Sequence, residues 1–598
     1  MATEEEMCKE RKYAYCPLPL CIYRIPLIPS TEILMPPVLQ KSLLALTLVF
    51  SIILGTSLRI EGLSQRPMHT DEAVQAYRMG ELLAGEGFEY NPSDGHGPGL
   101  LLFSLPVALA KGATSYQQLD EATLRLTPAI FGIALIAAAF LFRKLIGNTG
   151  VAVAALLTAI SPMHVFFSRY YIMELPMVFL LAAFVFFIWK YFCQQKLRWM
   201  TCAGAMAALM HATKETFVIS IFALVAAAFI VWLIEEITRR RAARLSVTPL
   251  IRHIAIGLAL SLTMSAGIYS MFFTNLEAIP HSFSTYLHYL DRAEGSGHEK
   301  PFMYYLELLS WKKMELYTWS ELIIILLALV GGAAAFLRRD LPEKQQVFLR
   351  LLATYTLLTL LIYSAIAYKT PWSILAFLHT AILLAGFGFS SLLQCARAIP
   401  NRIVAAGTVM LATLMLVLGC CNLLKQNQIA NFKSTRAKIR KNSDSPPALL
   451  EQVWHRHLDP STRSRSQAPF NADRNPYIYS HTSPSLVSRL VAQVAELREI
   501  NPELSILVCH PETGWPLPYY FRAIEKAGYP RHPRELKATV TSDVLICDTA
   551  YDEQLALKLG ERYIGPDMMN LRDNVMLHVY IERELFFEMV ERRSAPEQ

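Results

Sequence analysis

The sequence predicts a polytopic α-helical membrane protein of about eleven transmembrane helices, with a soluble α/β domain at its C-terminal end. Three observations predict it. Apolar runs recur near 39–58, 125–143, 150–167, 175–193, 199–213, 216–235, 251–273, 318–337, 347–366, 372–393 and 402–423, and a hydrocarbon core needs roughly 20 such residues per crossing. Only 18% of the 598 residues are charged while 53% are hydrophobic, against roughly a quarter charged in soluble chains. After residue 423 the runs give way to short segments with helix and strand periodicity. The formal charge of +7 fits Lys and Arg in cytoplasmic loops and argues against a nucleic-acid partner.

Residues 1–37 are polar and Pro-rich, far too long for the n-region of a signal peptide, and are expected to be disordered and cytoplasmic. A transmembrane domain follows over 38–424. Its orientation is set by the basic short loops: Arg143-Lys144, Lys190/Lys196/Arg198, Arg239-Arg240-Arg241 with Arg244, Arg338-Arg339 and Arg397/Arg402. All face the cytoplasm together if loop 59–124 begins and ends outside, so the shorter run at 97–110 lies in the interface or dips in and returns. Loops 59–124, 168–174, 211–216, 274–316 and 367–371 then share the outer face with everything after 424. The basic residues Lys425, Lys433, Arg436, Lys438, Arg440 and Lys441 oppose that placement of the tail, although long domains often ignore the charge rule.

Residues 425–475, with Pro446-Pro447 and the run STRSRSQ, are expected to be a linker, and 476–598 a small α/β domain. In that domain the spacing predicts a helix over 484–499 and strands at 504–509, 543–547 and 575–581, with an aromatic turn at 510–521. Ten cysteines are scattered without zinc-ligand spacing. Cys509 and Cys547 fall on two of the strands, where a pair of core thiols is preferred to a disulfide.

The outward-facing loops concentrate ionisable groups. RPMHTDEAVQAY places His69, Asp71 and Glu72 about a dozen residues after the first span. Adjacent helical side chains diverge by about 100°, so one carboxylate can face a reaction while the other orients a neighbour. The bland alternative, a helix starting and capped at Thr70 or Asp71, is about equally supported and compatible with function. SDGHGPG brings His96 on a loop whose glycines permit a close backbone approach; taken alone, a launching loop for the next run explains it better. FFSRYYIMELP supplies Arg169, Tyr170 and Glu174, HATKET supplies His211, Lys214 and Glu215, and YKTPWS supplies Tyr368, Lys369 and Trp372. Any one of these alone is better explained as a snorkelling base or an interfacial aromatic. Together they form the set a group transfer from a lipid-linked phosphate needs: a carboxylate base, cations for the departing phosphate, and carboxylates near a cationic sugar carbon.

The pattern resembles the GT-C superfamily, which includes the dolichyl-phosphate-mannose protein mannosyltransferases and the lipid A aminoarabinose transferases. The resemblance rests on the DE pair, the His96-Gly97-Pro98 run, the progression RLTPAIFG…FRKLIGNTG…AISP…SRYYIMELP, and a lysine in the hairpin between the fifth and sixth spans. HTDEAVQAY, HGPG, SRYYIMELP, ATKET, YKTPWS and the tail's WPLPYYFR (515–522) are most similar to the bacterial and archaeal flippase-activity-associated family, over about residues 40–590. The resemblance implies a GT-C-like fold in the plasma (inner) membrane. It implies a polyprenyl-phosphate-linked sugar as donor, an acceptor protein or glycan, and chemistry on the outer face. It carries over Asp71 as general base, Glu72 as its helper, Glu174 as a further carboxylate, and His69, His96, Arg169, Tyr170, Lys214 and Lys369 as substrate contacts, with Lys214 on the lipid phosphate. Two departures leave sugar and acceptor open: Glu174 stands where many relatives carry Asp, and His96-Gly97-Pro98 replaces a His-Pro-Pro. No metal ligand set is evident and no cofactor is certain, because superfamily members differ in their use of a divalent cation.

Two other functions compete. One is a non-catalytic accessory protein for flipping or handling lipid-linked sugars, against which no charged residue clearly sits mid-span as a translocation path would suggest. The other makes the membrane part an anchor for a tail that stacks GWPLPYYF on sugar rings, although a packed turn explains those aromatics slightly better.

Overall fold

The computed structural model describes residues 37–92, 96–238, 247–293, 299–314, 317–431, 475–537, 539–572 and 574–594. The expected disordered N-terminus, the basic loop near 240 and most of the expected linker lie outside the described residues.

Eight helical stretches among the described residues are long and apolar enough to cross a membrane, which makes the chain an integral membrane protein. The first is α1 (Pro37–Ile60). The stretch Glu121–Ile160 is 40 residues long, about 60 Å at 1.5 Å per residue and twice a hydrocarbon core. It is bent rather than straight: α4 (Glu121–Ala138) passes through one 3₁₀ turn into α5 (Arg143–Ile160), where Gly147 adopts φ 77°. That left-handed conformation is open to glycine and strained for other residues. The remaining long helices are α7 (Glu174–Gln194), α9 (Phe217–Ile237), α10 (Val247–Tyr269), α14 (Glu343–Ala365), α15 (Leu375–Arg397) and α16 (Arg402–Asn431). A count of eleven further requires α8 (Leu197–Thr213) and α13 (Leu322–Leu337) to cross, each roughly 25 Å long. The run at 97–110 forms α3 (Gly99–Ala110), 12 residues with Pro106 inside and about 18 Å long, too short to span.

Burial orders the bundle. The apolar part of Pro371–Arg397 is almost wholly buried, whereas those of α16 and α10 are mostly exposed, so α15 is central and the other two face outward. The apolar run at 150–167 is two helices rather than one. Ser161 caps α6 (Pro162–Ser168), its hydroxyl accepting from the His164 amide, and Pro162 occupies the first helical turn. A buried ion pair joins two helices near one end: Glu235, in the last turn of α9, pairs with Arg350 of α14, both side chains under 5% exposed.

Between α1 and α4 runs a loop and then α2 (Thr70–Leu83). Between α10 and α13 come α11 (Ala278–Ala293), α12 (Tyr304–Ser310) and a two-stranded hairpin, β1 (Lys312–Met314) with β2 (Tyr317–Trp319).

The tail carries a five-stranded sheet in the order β4-β3-β5-β7-β6, from β3 (Ser505–Cys509), β4 (Lys526–Gly528), β5 (Val544–Asp548), β6 (Tyr563–Arg572) and β7 (Val575–Glu582). The three expected strands are β3, β5 and β7. The expected helix is a π-helical turn at Leu486–Val491 continuing into α17 (Ala492–Ile500). Leu486, Leu490, Val494 and Leu497 pack on Ile506, Val508 and Ile546. Cys509 and Cys547 sit side by side in parallel register as free, buried thiols. Residues 475–482 do not belong to this core. Tyr477 and Ile478 are buried in the helical bundle, where the Tyr477 ring packs 5.3 Å from Trp319 and 5.7 Å from Phe166.

Candidate functional site

One end of the bundle gathers the candidate residues. The helix α2 starts where the sequence allows, but its cap is His69 rather than Thr70 or Asp71. The ring Nδ1 of His69 accepts from the Asp71 amide at 3.0 Å, while the His69 amide donates to Glu72 Oε2 at 3.0 Å, a reciprocal capping box. The ring proton therefore sits on Nε2, which donates to the Tyr479 carbonyl at 3.0 Å.

The two adjacent carboxylates differ completely in environment. Glu72 is fully buried. Its oxygens accept from Arg125 Nε at 2.7 Å, Arg125 Nη2 at 2.6 Å, the Tyr171 amide at 2.7 Å and the His69 amide. Burial pushes the Glu72 carboxyl up, but the Arg125 guanidinium outweighs it and holds it below its ordinary value. The Asp71 side chain is 52% exposed, and its nearest basic group is the His69 ring at 3.7 Å. No lysine or arginine pairs with it among the described residues.

Around this pair stands an aromatic wall. Tyr170 lies edge-on to His69 with centroids 5.3 Å apart, stacks on His481 at 5.3 Å and tilts against Trp372 at 5.9 Å. The Arg66 guanidinium sits 4.6 Å from the Phe166 centroid and 5.1 Å from that of Tyr170. Burial and the nearby charges of Asp71 and Glu72 push the Tyr170 phenol well up, with Glu174 adding to the effect. Burial also lowers Arg66, to about 10. Three buried polar atoms here have no protein partner: Arg66 Nε, Tyr170 Oη and His481 Nε2. Nδ1 of His481 lies 3.0 Å from the Tyr479 amide and 3.1 Å from the Tyr479 carbonyl.

Glu174, in the first turn of α7, pairs through Oε1 with Lys214 at the end of α8, and its Oε2 has no partner. Burial alone would depress Lys214; the Glu174 carboxylate raises it instead. His96 pairs with buried Glu215 at 2.8 Å. The glycine beside His96 is needed for close approach, because a Cβ on Gly97 would lie 2.3 Å from the Ala212 carbonyl oxygen.

Other candidates are engaged with the backbone. Arg169 donates to the carbonyls of Leu58, Arg59, Glu61 and Gly62, closing the C-terminal end of α1. Lys369 is buried and donates to the carbonyls of Lys300 and Ile366. His211 bonds Ser265 Oγ at 2.5 Å. Arg66, Arg125, Tyr479 and His481 were not among the expected site residues. A signal for Arg125 existed: an arginine opens an otherwise apolar run. Among the described residues no three His, Cys, Asp or Glu side chains are grouped to hold a metal ion.

A bundle of membrane helices, an acid-bearing helix laid at one of its ends and a docked α/β tail make up a GT-C-like fold. Residues 108–268 match the family model for dolichyl-phosphate-mannose-protein mannosyltransferases. Its fold is similar to that of ArnT from Cupriavidus metallidurans bound to undecaprenyl phosphate, with 13% identity, TM-score 0.53, and coverage of 92% of this chain and 98% of that one. The apo form of the same protein gives TM-score 0.55 at 13% identity, covering 90% and 98%. The apo oligosaccharyltransferase of Archaeoglobus fulgidus gives TM-score 0.50 at 12% identity, covering 92% and 77%. At these identities the likeness concerns the fold. Among curated protein sequences no match is found.

Proposed function

We propose that this protein is a membrane glycosyltransferase that moves a sugar from a polyprenyl-phosphate donor to a protein or glycan acceptor, at the outer face of the plasma membrane. The observation that carries the reading is the contrast between Asp71, exposed and unpaired with any lysine or arginine among the described residues, and Glu72, locked on Arg125. Asp71 takes the proton from the acceptor's attacking group as that group bonds to the anomeric carbon. The bond from that carbon to the phosphate oxygen breaks, and its electron pair leaves with the polyprenyl phosphate. Lys214 keeps N–H donors beyond the one given to Glu174, and with Arg66 Nε it supports the charge gathering on that phosphate. Glu174 Oε2 can accept from a sugar hydroxyl, Tyr170 Oη can donate to a sugar or phosphate oxygen, and His481 Nε2 can bond a sugar hydroxyl.

The test is Asp71→Asn in the full-length protein in nanodiscs. It is supplied with the total polyprenyl lipid extract and envelope acceptors of its native membranes, and released polyprenyl phosphate is read by mass spectrometry. Release should fall by about 100-fold or more. Unchanged release refutes the catalytic role; a change confined to the sidedness of sugar lipids in intact cells favours the accessory flipping role.

A further inference from the structure

The tail reaches the acid-bearing helix at three consecutive residues. Met68 is fully buried, and both of its backbone groups are taken by tail side chains: its amide donates to Tyr520 Oη at 2.8 Å and its carbonyl accepts from Thr482 Oγ1 at 2.6 Å. The His69 ring is held by the Tyr479 carbonyl at 3.0 Å. The Thr70 hydroxyl accepts from Arg572 Nη1 at 3.0 Å and donates to the Trp515 carbonyl at 3.4 Å. These partners come from separate tail segments: the strap 475–482, the turn 515–520 and the end of β6. The strap and the turn are themselves moored to the bundle. Tyr477 reaches Glu321, and Arg522 donates to the Leu119 carbonyl at 2.6 Å.

We propose that the C-terminal tail is a clamp that sets the position of Asp71, with Thr482 and Tyr520 as positioning residues. The proposal rests on the reading of Asp71 as the base. The mechanics follow from the bonds. Residues 61–69 form no regular element apart from one turn, so the direction in which α2 emerges is set by what holds its first residues. Tyr520 and Thr482 fix the peptide planes on either side of Met68. Tyr479 fixes the tautomer and plane of His69, and the His69 ring holds the Asp71 amide. Simple adhesion of the tail would be met by apolar contact anywhere on the bundle. Here five directed hydrogen bonds converge on the three residues immediately before the proposed base.

The experiment compares Thr482→Val, Thr482→Ser and Tyr520→Phe with wild type and Asp71→Asn. It uses full-length protein in nanodiscs, the total native polyprenyl lipid extract as donor probe, and polyprenyl phosphate release as readout. Glu496→Gln, which breaks an exposed tail bridge to Arg593, controls for general tail destabilisation. Thr482→Val and Tyr520→Phe should each lower the maximal rate roughly 10-fold while half-saturation stays within about twofold, because orientation rather than affinity is lost. Thr482→Ser, which keeps the hydroxyl, should restore the rate. Wild-type maximal rates in both Thr482→Val and Tyr520→Phe, alongside an inactive Asp71→Asn, overturn the clamp and leave the reading of Asp71 intact. An effect on half-saturation alone, or an equal loss in Glu496→Gln, also overturns it. An active Asp71→Asn overturns the base assignment and the clamp with it.

Discussion

Replacing Glu72 with Gln removes a charge at the most heavily bonded carboxylate of the site. Four donors converge on it: two N–H groups of Arg125 and the amides of Tyr171 and His69. The amide of Gln keeps one oxygen and turns an N–H₂ toward donors, so about two buried donors lose their acceptor, each at roughly 1–3 kcal/mol. Arg125 is partly compensated, because Nη1 also donates to the Leu63 and Arg66 carbonyls at 2.7 and 2.8 Å and Nη2 to that of Pro67 at 3.0 Å. The net loss should be about 3–5 kcal/mol, the cost of stripping one partner from a buried ion pair. Chemical unfolding in mixed detergent micelles measures it, with Arg125→Gln and the double variant closing a cycle. The double variant should lose about 2 kcal/mol less than the sum of the singles. A single-variant loss under about 1 kcal/mol, or an additive cycle, would refute the pairing argument. Because Arg125 holds the folded carboxyl below its ordinary value of 4.5, the pair's stabilisation is complete above that unfolded value and fades as pH falls through the lower folded one. Wild type should therefore lose stability below about pH 4.5 more steeply than Glu72→Gln.

Glu174→Gln removes the carboxylate that raises Lys214 against the opposing effect of burial. A raised lysine holds its proton below the unfolded pKa and loses it as pH rises through the folded one, so in this variant the alkaline limb of the release rate should move to lower pH; an unmoved limb refutes a role for charged Lys214. Gly97→Ala forces a methyl against the Ala212 carbonyl and should cost about 1–3 kcal/mol of stability in the same unfolding assay. Since it also parts His96 from Glu215, combining it with Glu215→Gln should cost less than the sum, and additivity would show that the loop and the pair are independent.

Span-length helices were legible because crossing lipid demands long apolar runs, and the runs near 175–193 and 347–366 read close to α7 and α14. Boundaries failed where local capping chemistry overrode hydropathy. Ser161-Pro162 divides the run at 150–167, and both the cap and the first-turn proline were present in AISP. In the tail, β3, β5 and β7 showed apolar segments, whereas β4 has three residues and β6 carries Pro566, Asp567 and Asn570 among its ten, leaving little periodicity to read. The acidic pair at 71–72 was legible as a pair, and the diverging directions of neighbouring helical side chains foretold that the two would part. The strap NPYIYSHT was not legible. Its tyrosines and histidine look like the end of a linker, and only contacts spanning hundreds of residues bury them. Arg169 and Lys369 show the converse limit, because a basic residue that closes a helix end looks the same in sequence as one that awaits a phosphate.

The adjacency of Asp71 and Glu72 also answers why a helix start is used here. An N-terminus offers free amides and a positive dipole end, which favour an acidic residue there. The third helical residue is the one whose side chain returns to the cap, and here that residue is Glu72, which holds the His69 amide while binding Arg125. One position earlier, Asp71 spends only its backbone amide on the cap, leaving both carboxylate oxygens outside the network that builds the helix. Stability and the proposed reactivity thus fall on different residues of one turn. Exchanging the order of the two acids, by Asp71→Glu together with Glu72→Asp, would not conserve the site: at position 72 a side chain one methylene shorter cannot keep both the His69 amide and Arg125 in reach. Such a swap should lose stability on the scale of Glu72→Gln, and a swapped protein as stable as wild type would show that the order of the two acids carries no structural meaning.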